Sequence, residues 1–228
     1  MIRYAIYFTP TEDATLWKFG CAAIGYDSAV GSKVPFHAHN FYRNSKIENW
    51  TADPRRYGFH ATLKPPFMLA EGQTLEGLES AATAFCAGKE AFSVAQLKVA
   101  AIGSFVALIP AGPSPKLNQL AADCVTEFEI FRAPLSAADR ARRLQSSLSE
   151  KQLSYLDAWG YPYVFDEFRF HMTLTGRLPN AVQAEALNAL QELYAPLSQP
   201  IDIDSIGICV QSAREADFKV YKSFKFGG

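Results

Sequence analysis

The chain has 228 residues, 49% of them hydrophobic and 20% charged, with a formal net charge of −1. This is globular composition on a chain long enough to bury a core; it excludes disorder, and it supplies no global basic field for holding a long nucleic acid. No apolar run reaches bilayer-spanning length, residues 1–10 do not read as a signal peptide, and Cys21, Cys86, Cys124 and Cys209 form no C-x-x-C pair, so a cytoplasmic protein with reduced, buried thiols and no membrane contact is expected.

Residues 4–8 read as a first strand, rich in aromatic and β-branched side chains. Thr11 stands where it can cap a helix carrying Leu16, Phe19, Ala23 and Ile24 at helical spacing. Residues 26–55 are polar, contain Pro35 and Pro54 and keep no period; they are expected to be irregular, a wall or lid beside the segment that follows. Residues 59–64 alternate as a strand, which Pro65-Pro66 should end. Thr74 caps a helix with Leu75, Leu78, Ala82 and Phe85 on one face, and residues 92–102 and 104–109 read as two strands around Gly103. Ser114-Pro115 opens a helix whose stripe is Leu117, Leu120, Ala121, Cys124, Val125 and Phe128. Two cap signals follow, Ser136 with Asp139 and Ser149 with Gln152, before Gly160 and Pro162 stop the helical stretch. Residues 168–175 form another strand, Asn180 caps a helix bearing Leu187, Leu190 and Tyr194, and strands near 201–210 and 218–226 close the chain.

Two stretches share one shape: H-A-T-L at residues 60–63 and H-M-T-L at 171–174. In a strand, residues i and i+2 face the same way. His60 and Thr62 therefore share a face, as do His171 and Thr173, while the apolar pair of each motif anchors in a core. One such motif is an ordinary buried histidine beside a strand threonine. Two copies, which use two of only four histidines in the chain, point to two halves of one site. A histidine titrates near pH ~6.5, so one imidazole can take a proton while the other gives one, and two threonine hydroxyls can hold the oxygens of a phosphate. Either histidine can fill either role. No metal or other cofactor is needed.

The neighbours are open to two readings. Lys64 has the parity of His60 and is equally a phosphate ligand or a solvated lysine. Arg169 has the parity of His171, and Arg177 lies just past that strand; both are candidate phosphate clamps. Arg56 can flank the cleft, whereas Tyr57 has the parity of the core side. Tyr161 and Tyr163 can stack on a base or sugar, although packing is the commoner role, and Tyr163 is kept as a candidate substrate contact. Arg140, Arg142 and Arg143 read as a solvated helix face. His37 and His39 have the spacing for a metal but no ligand-spaced carboxylate or cysteine nearby, so metal-dependent hydrolysis ranks last.

The longer stretches R-Y-G-F-H-A-T-L-K-P-P-F and W-G-Y-P-Y-V-F-D-E-F-R-F-H-M-T-L-T-G-R-L resemble the two-histidine (2H) phosphoesterase superfamily, and more narrowly its branch associated with phosphonate-utilisation operons. The resemblance implies an α+β fold, bilobal and pseudo-twofold, with mostly antiparallel sheets lining a central cleft and helices outside. It implies metal-independent phosphoester chemistry, with His60, His171, Thr62 and Thr173 in the family's catalytic positions. One compact unit of two lobes is expected, approximately residues 1–110 and 111–228, with strands free to exchange between lobes. The expected partner is a small phosphorylated substrate such as a cyclic phosphodiester, with no obligate protein partner. RNA 2′,3′-cyclic phosphodiesterase or ligase-like chemistry is one alternative, and a phosphate-binding module without turnover is another.

Overall fold

The alternation read from the sequence folds into one broad antiparallel sheet. The computed structural model describes residues 1–227. Its strands are β1 (Arg3–Phe8), β2 (Tyr26–Asp27), β3 (Ser32–Lys33), β4 (Ala61–Phe67), β5 (Phe92–Val94), β6 (Leu97–Ile102), β7 (Phe105–Pro110), β8 (Met172–Thr173), β9 (Ile201–Ile203), β10 (Ser205–Gln211) and β11 (Lys219–Lys225). The α-helices are α1 (Thr15–Ile24), α2 (Ile47–Trp50), α3 (Ala52–Tyr57), α4 (Leu75–Ala87), α5 (Pro115–Glu127), α6 (Ala137–Arg143), α7 (Glu150–Trp159) and α8 (Asn180–Tyr194). The architecture is α+β. Among the described residues, no helix is long and apolar enough to cross a membrane.

The sheet runs β11-β10-β1-β4-β8-β7-β6. Between β4 and β8 the register holds a single residue pair, Ala61 opposite Met172. The four strands on one side and the three on the other are thus joined at one point. β6 and β7 pair on the β8 side, while β10 and β11, from late in the chain, pair on the β1 side. Among the described residues no further ladder pair joins β4 to β8.

One sheet face is apolar and carries the helices. Ile6, Phe8, Ala61, Leu63, Leu108 and Met172 join Leu78 and Ala82 of α4, Leu117 and Leu120 of α5, and Ala186 and Leu190 of α8 in the main core. The opposite face holds a smaller cluster of Ala5, Tyr7, Cys209 and Phe218. All four cysteines are free and buried.

Several expectations are corrected at element ends. α1 starts at Thr15 with Ala14 at its cap position, because Thr11 is spent on a preceding turn through its carbonyl to Ala14 N–H, 2.9 Å. Asn180 is the first helical residue of α8, and Pro179 holds the cap position. Ser114 makes no side-chain cap, and Pro115 alone opens α5. The caps Thr74, Ser136 and Ser149 form as read, the last as a capping box with Gln152. Pro65-Pro66 lies inside β4 rather than ending it. Past Ala61 that strand has β1 as its only ladder partner, so one edge is free to take residues lacking an N–H. The strand expected over 168–175 contracts to Met172–Thr173, and β5 leaves β6 to pair with β9 in a separate two-stranded ribbon. Within 26–55 the chain forms the β2–β3 hairpin, α2 and α3.

The site strand is seated by a notch in α1. Phe59, one residue before His60, is fully buried, and its ring fills the space where a side chain on Gly20 would begin; a Cβ there would meet the ring at 2.1 Å. Gly20→Ala must therefore push Phe59 out of place. Overpacking of this kind costs roughly 1–3 kcal/mol, so thermal unfolding should show a lower Tm, by about 2–4 °C for each kcal/mol lost. An unchanged Tm would contradict the packing described.

Candidate active site

His60 and Thr62 of β4, and His171 and Thr173 of β8, meet on the face opposite the helices. With Ala61 opposite Met172, antiparallel register sets His60 across from Thr173 and Thr62 across from His171. The two imidazoles are diagonal neighbours, with Cβ atoms about 7–8 Å apart in such a register. Flanking positions in register are Tyr7 beside Thr62 and the small Ala107 beside Thr173.

The two histidines are held alike. His60 Nδ1 donates to the Gly58 carbonyl at 2.9 Å, and His171 Nδ1 donates to the Arg169 carbonyl at 2.7 Å. In each case the acceptor lies two residues upstream, so the carbonyl holds a proton on Nδ1 and Nε2 is the nitrogen left for other partners. Gly58 can offer its carbonyl because its backbone is left-handed (φ 74°), and a Cβ there would strike Ser28 Oγ at 2.4 Å. His60 Nε2 accepts from Thr62 Oγ1 at 3.1 Å.

The electrostatics separate the pair. Tyr7 stacks on the His60 ring with centroids 3.7 Å apart and planes 22° from parallel. Burial, only partly offset by the Gly58 carbonyl and reinforced by the nearby His171 charge, lowers the His60 pKa to about 4. His60 is therefore neutral at physiological pH.

Two cavities flank the four residues. One, about 210 Å³, is lined by Thr62, His171, Arg169, Tyr161, Tyr163 and Val164 among others. The other, about 230 Å³, has His60, Thr173, Phe105, Tyr57, Asp53 and Arg177 in its wall. Arg169, Arg177 and Tyr163 thus line the cleft, the Arg169 guanidinium also donating to the Asp166 and Phe168 carbonyls at 2.7 Å each. α3 supplies part of the wall, so residues from the 26–55 stretch do border the site. Arg56 of α3 is exposed and lines neither cavity.

Lys64 is a correction. It is buried beneath α5, donating to the Val125 carbonyl at 2.8 Å and to Glu129 Oε2 at 2.7 Å. The cause is a register shift in β4: Tyr7 faces Thr62 but Ile6 faces Lys64, so Leu63 is an extra residue and the parity flips. Tyr57, assigned by parity to the core side, instead lines the cleft because it ends α3 and strand parity does not reach it. α6 buries no residue, as its solvated reading expects, and at its end Arg143 is half-buried with its guanidinium over the Tyr161 ring at 4.8 Å. His37 Nε2 donates to the Phe19 carbonyl at 2.9 Å, and His39 Nδ1 accepts from Phe41 N–H at 3.1 Å. Sequence reasoning missed Tyr7, whose only signal is its position two residues from Ala5 on a strand that reads apolar throughout.

A family model described as "Protein of unknown function (DUF1045)" matches residues 62–219, spanning Thr62, His171 and Thr173. The chain belongs to this family. Two curated relatives are both named "Ribose 1,5-bisphosphate phosphokinase PhnN". The one from Janthinobacterium sp. (strain Marseille) is 37% identical over 236 residues, covering 100% of this chain and 51% of the relative. That from Laribacter hongkongensis (strain HLHK9) is 27% identical over 220 residues, covering 96% and 50%. The chain spans about half the length of the curated relatives it matches.

The buried state of His60 has a consequence for stability. Its folded pKa, about 4, lies below the ~6.5 of an unfolded histidine. Above pH ~6.5 neither state takes the proton and His60 costs nothing. As pH falls from there toward 4, the unfolded chain binds a proton that the folded chain refuses, and stability drops by up to roughly 1.4 kcal/mol per pH unit; below the folded value the loss levels off. Urea midpoints at pH 7 and pH 4.5 should diverge more for the wild type than for His60→Asn. Equal divergence would mean that His60 is not held neutral.

Proposed function

We propose that this chain is a metal-independent phosphoesterase that opens a cyclic phosphodiester, or cleaves a related small ester, on a phosphorylated sugar. The observation that carries the reading is the matched pair of imidazoles, each tied at Nδ1 to a carbonyl so that its Nε2 serves the cleft. The low pKa, which keeps His60 neutral, supports His60 as the base, and the mechanism assigns the acid's role to His171.

In this mechanism a water stands between His60 Nε2 and phosphorus. His60 takes one water proton as the oxygen attacks, and the bond from phosphorus to the opposite ester oxygen breaks. His171 Nε2–H protonates that departing oxygen. The product is a phosphomonoester bearing a free hydroxyl; His60 ends protonated and His171 neutral, and exchange with solvent restores both. Thr62 and Thr173 donate to the non-bridging oxygens, stabilising charge where it builds. Thr62 turns its hydroxyl from His60 to the phosphate when substrate enters.

The substrate class draws on the relatives' printed name, which gives ribose 1,5-bisphosphate as what those proteins phosphorylate. A ribose phosphate and a place in phosphonate metabolism follow from that name by analogy. Phosphoryl transfer from ATP is the other activity the name brings. It describes proteins about twice as long as this chain, and no G-x4-G-K-S/T run for cradling nucleotide phosphates occurs in these 228 residues.

The test is hydrolysis of ribose cyclic phosphates and 2′,3′-cyclic nucleotides without ATP and with a chelator present. Turnover should persist, and His60→Ala and His171→Ala should each lower kcat by about 10²–10⁴-fold while circular dichroism stays native. Full activity in either variant, or a requirement for ATP, would overturn the proposal.

A further inference from the structure

A second cavity, about 470 Å³, adjoins the cleft and shares Pro65, Val125 and Val164 with its wall. Six cations line it: Arg3, Lys64, Arg132, Arg142, Arg143 and Arg214. Two carboxylates answer them. Glu129 pairs with Lys64 and Arg132, and Asp139 pairs with Arg142 and Arg214. Six against two leaves a net charge of +4 around one cavity, in a chain whose total is −1. Among the described residues Arg3 and Arg143 have no carboxylate partner at all.

Both of these arginines lie against aromatic rings. Arg143 lies over Tyr161, which also lines the cavity holding His171. Arg3 is on the Tyr7 side of β1, four residues away or about 13 Å of extended chain; Arg3 Nε donates to Gln211 Oε1 at 2.7 Å, and its guanidinium sits 5.7 Å from the Phe218 ring that touches Tyr7. The Tyr7 hydroxyl is fully buried and, among the described residues, without a hydrogen-bond partner. A buried hydroxyl in that state calls for a polar group that the protein does not provide.

We infer that this cavity is a binding subsite for a second phosphate of the substrate, held between Arg3 and Arg143, while the reacting phosphate lies between His60 and His171. The inference rests on the phosphoesterase reading for the identity of the molecule, and on the arginine cavity alone for the binding of an anion. A doubly charged phosphate satisfies two guanidinium forks and replaces the neutralisation that no carboxylate supplies. It also fixes the sugar's orientation, so that only one ester oxygen faces His171. Cyclic esters without a second phosphate, which carry a single negative charge, would enter without that register.

Calorimetric titration with ribose 5-phosphate, with ribose as control, tests the subsite without turnover. The wild type should bind ribose 5-phosphate and not ribose. The double variant Arg3→Gln/Arg143→Gln should bind it roughly ten- to a hundredfold more weakly, with Arg143→Gln alone, at the end of a surface helix, moving the same way. The His60→Ala/His171→Ala variant should retain the affinity. Undetectable wild-type binding, affinity indifferent to the arginines, or equal loss in the histidine variant would overturn the subsite. Arginine-dependent binding in a protein that hydrolyses no cyclic ester would uphold the subsite and remove the phosphoesterase reading.

Discussion

The site depends on one backbone pairing. Ala61 and Met172 are the sole register pair between the two halves of the sheet, and both side chains are buried in the core on the helix side. Because strand side chains alternate, burying those two turns their neighbours, His60, Thr62, His171 and Thr173, to the other face together. A slip of one residue would bury the imidazoles and expose Ala61 and Met172. The apolar core therefore enforces the geometry of the polar site, and the two cavities beside it leave room for a ligand.

The second constraint is the tie at each Nδ1. Without the Gly58 and Arg169 carbonyls, either imidazole could rotate or exchange tautomers. With them, both present Nε2, and what distinguishes the two is their surroundings. His60 is stacked on Tyr7, while His171 has Phe105 5.9 Å away at a tilt. Burial lowers the proton affinity of His60, and the proposed acid–base chemistry assigns it the base's role on that ground. The arginine cavity adjoins this cleft, with Pro65, Val125 and Val164 in both walls.

The sequence made the period-two motifs legible because both are bounded by residues whose burial is unambiguous, Phe59 and Leu63 in one and Phe170 and Leu174 in the other. The α+β class was legible for the same reason. Lys64 was not, since a one-residue bulge leaves no mark in composition and reverses every parity argument downstream of it. The inward turn of Arg143 depends on Tyr161, eighteen residues away across α7, and such a contact is set by tertiary packing. Tyr7 was hidden because β1 is buried on both faces and so shows no alternation to read. Helix starts were misplaced where a residue able to cap, such as Thr11, was used in a turn.

The central claim is that both Nε2 atoms address one anion while both Nδ1 atoms stay protonated. Nitrogen-15 NMR of the imidazoles during titration with inorganic phosphate tests it most directly. The account predicts that the Nε2 resonances of His60 and His171 move together with a single dissociation constant, and that both Nδ1 resonances keep the shift of a protonated nitrogen. Movement at only one histidine, or a response at Nδ1 in place of Nε2, would contradict it.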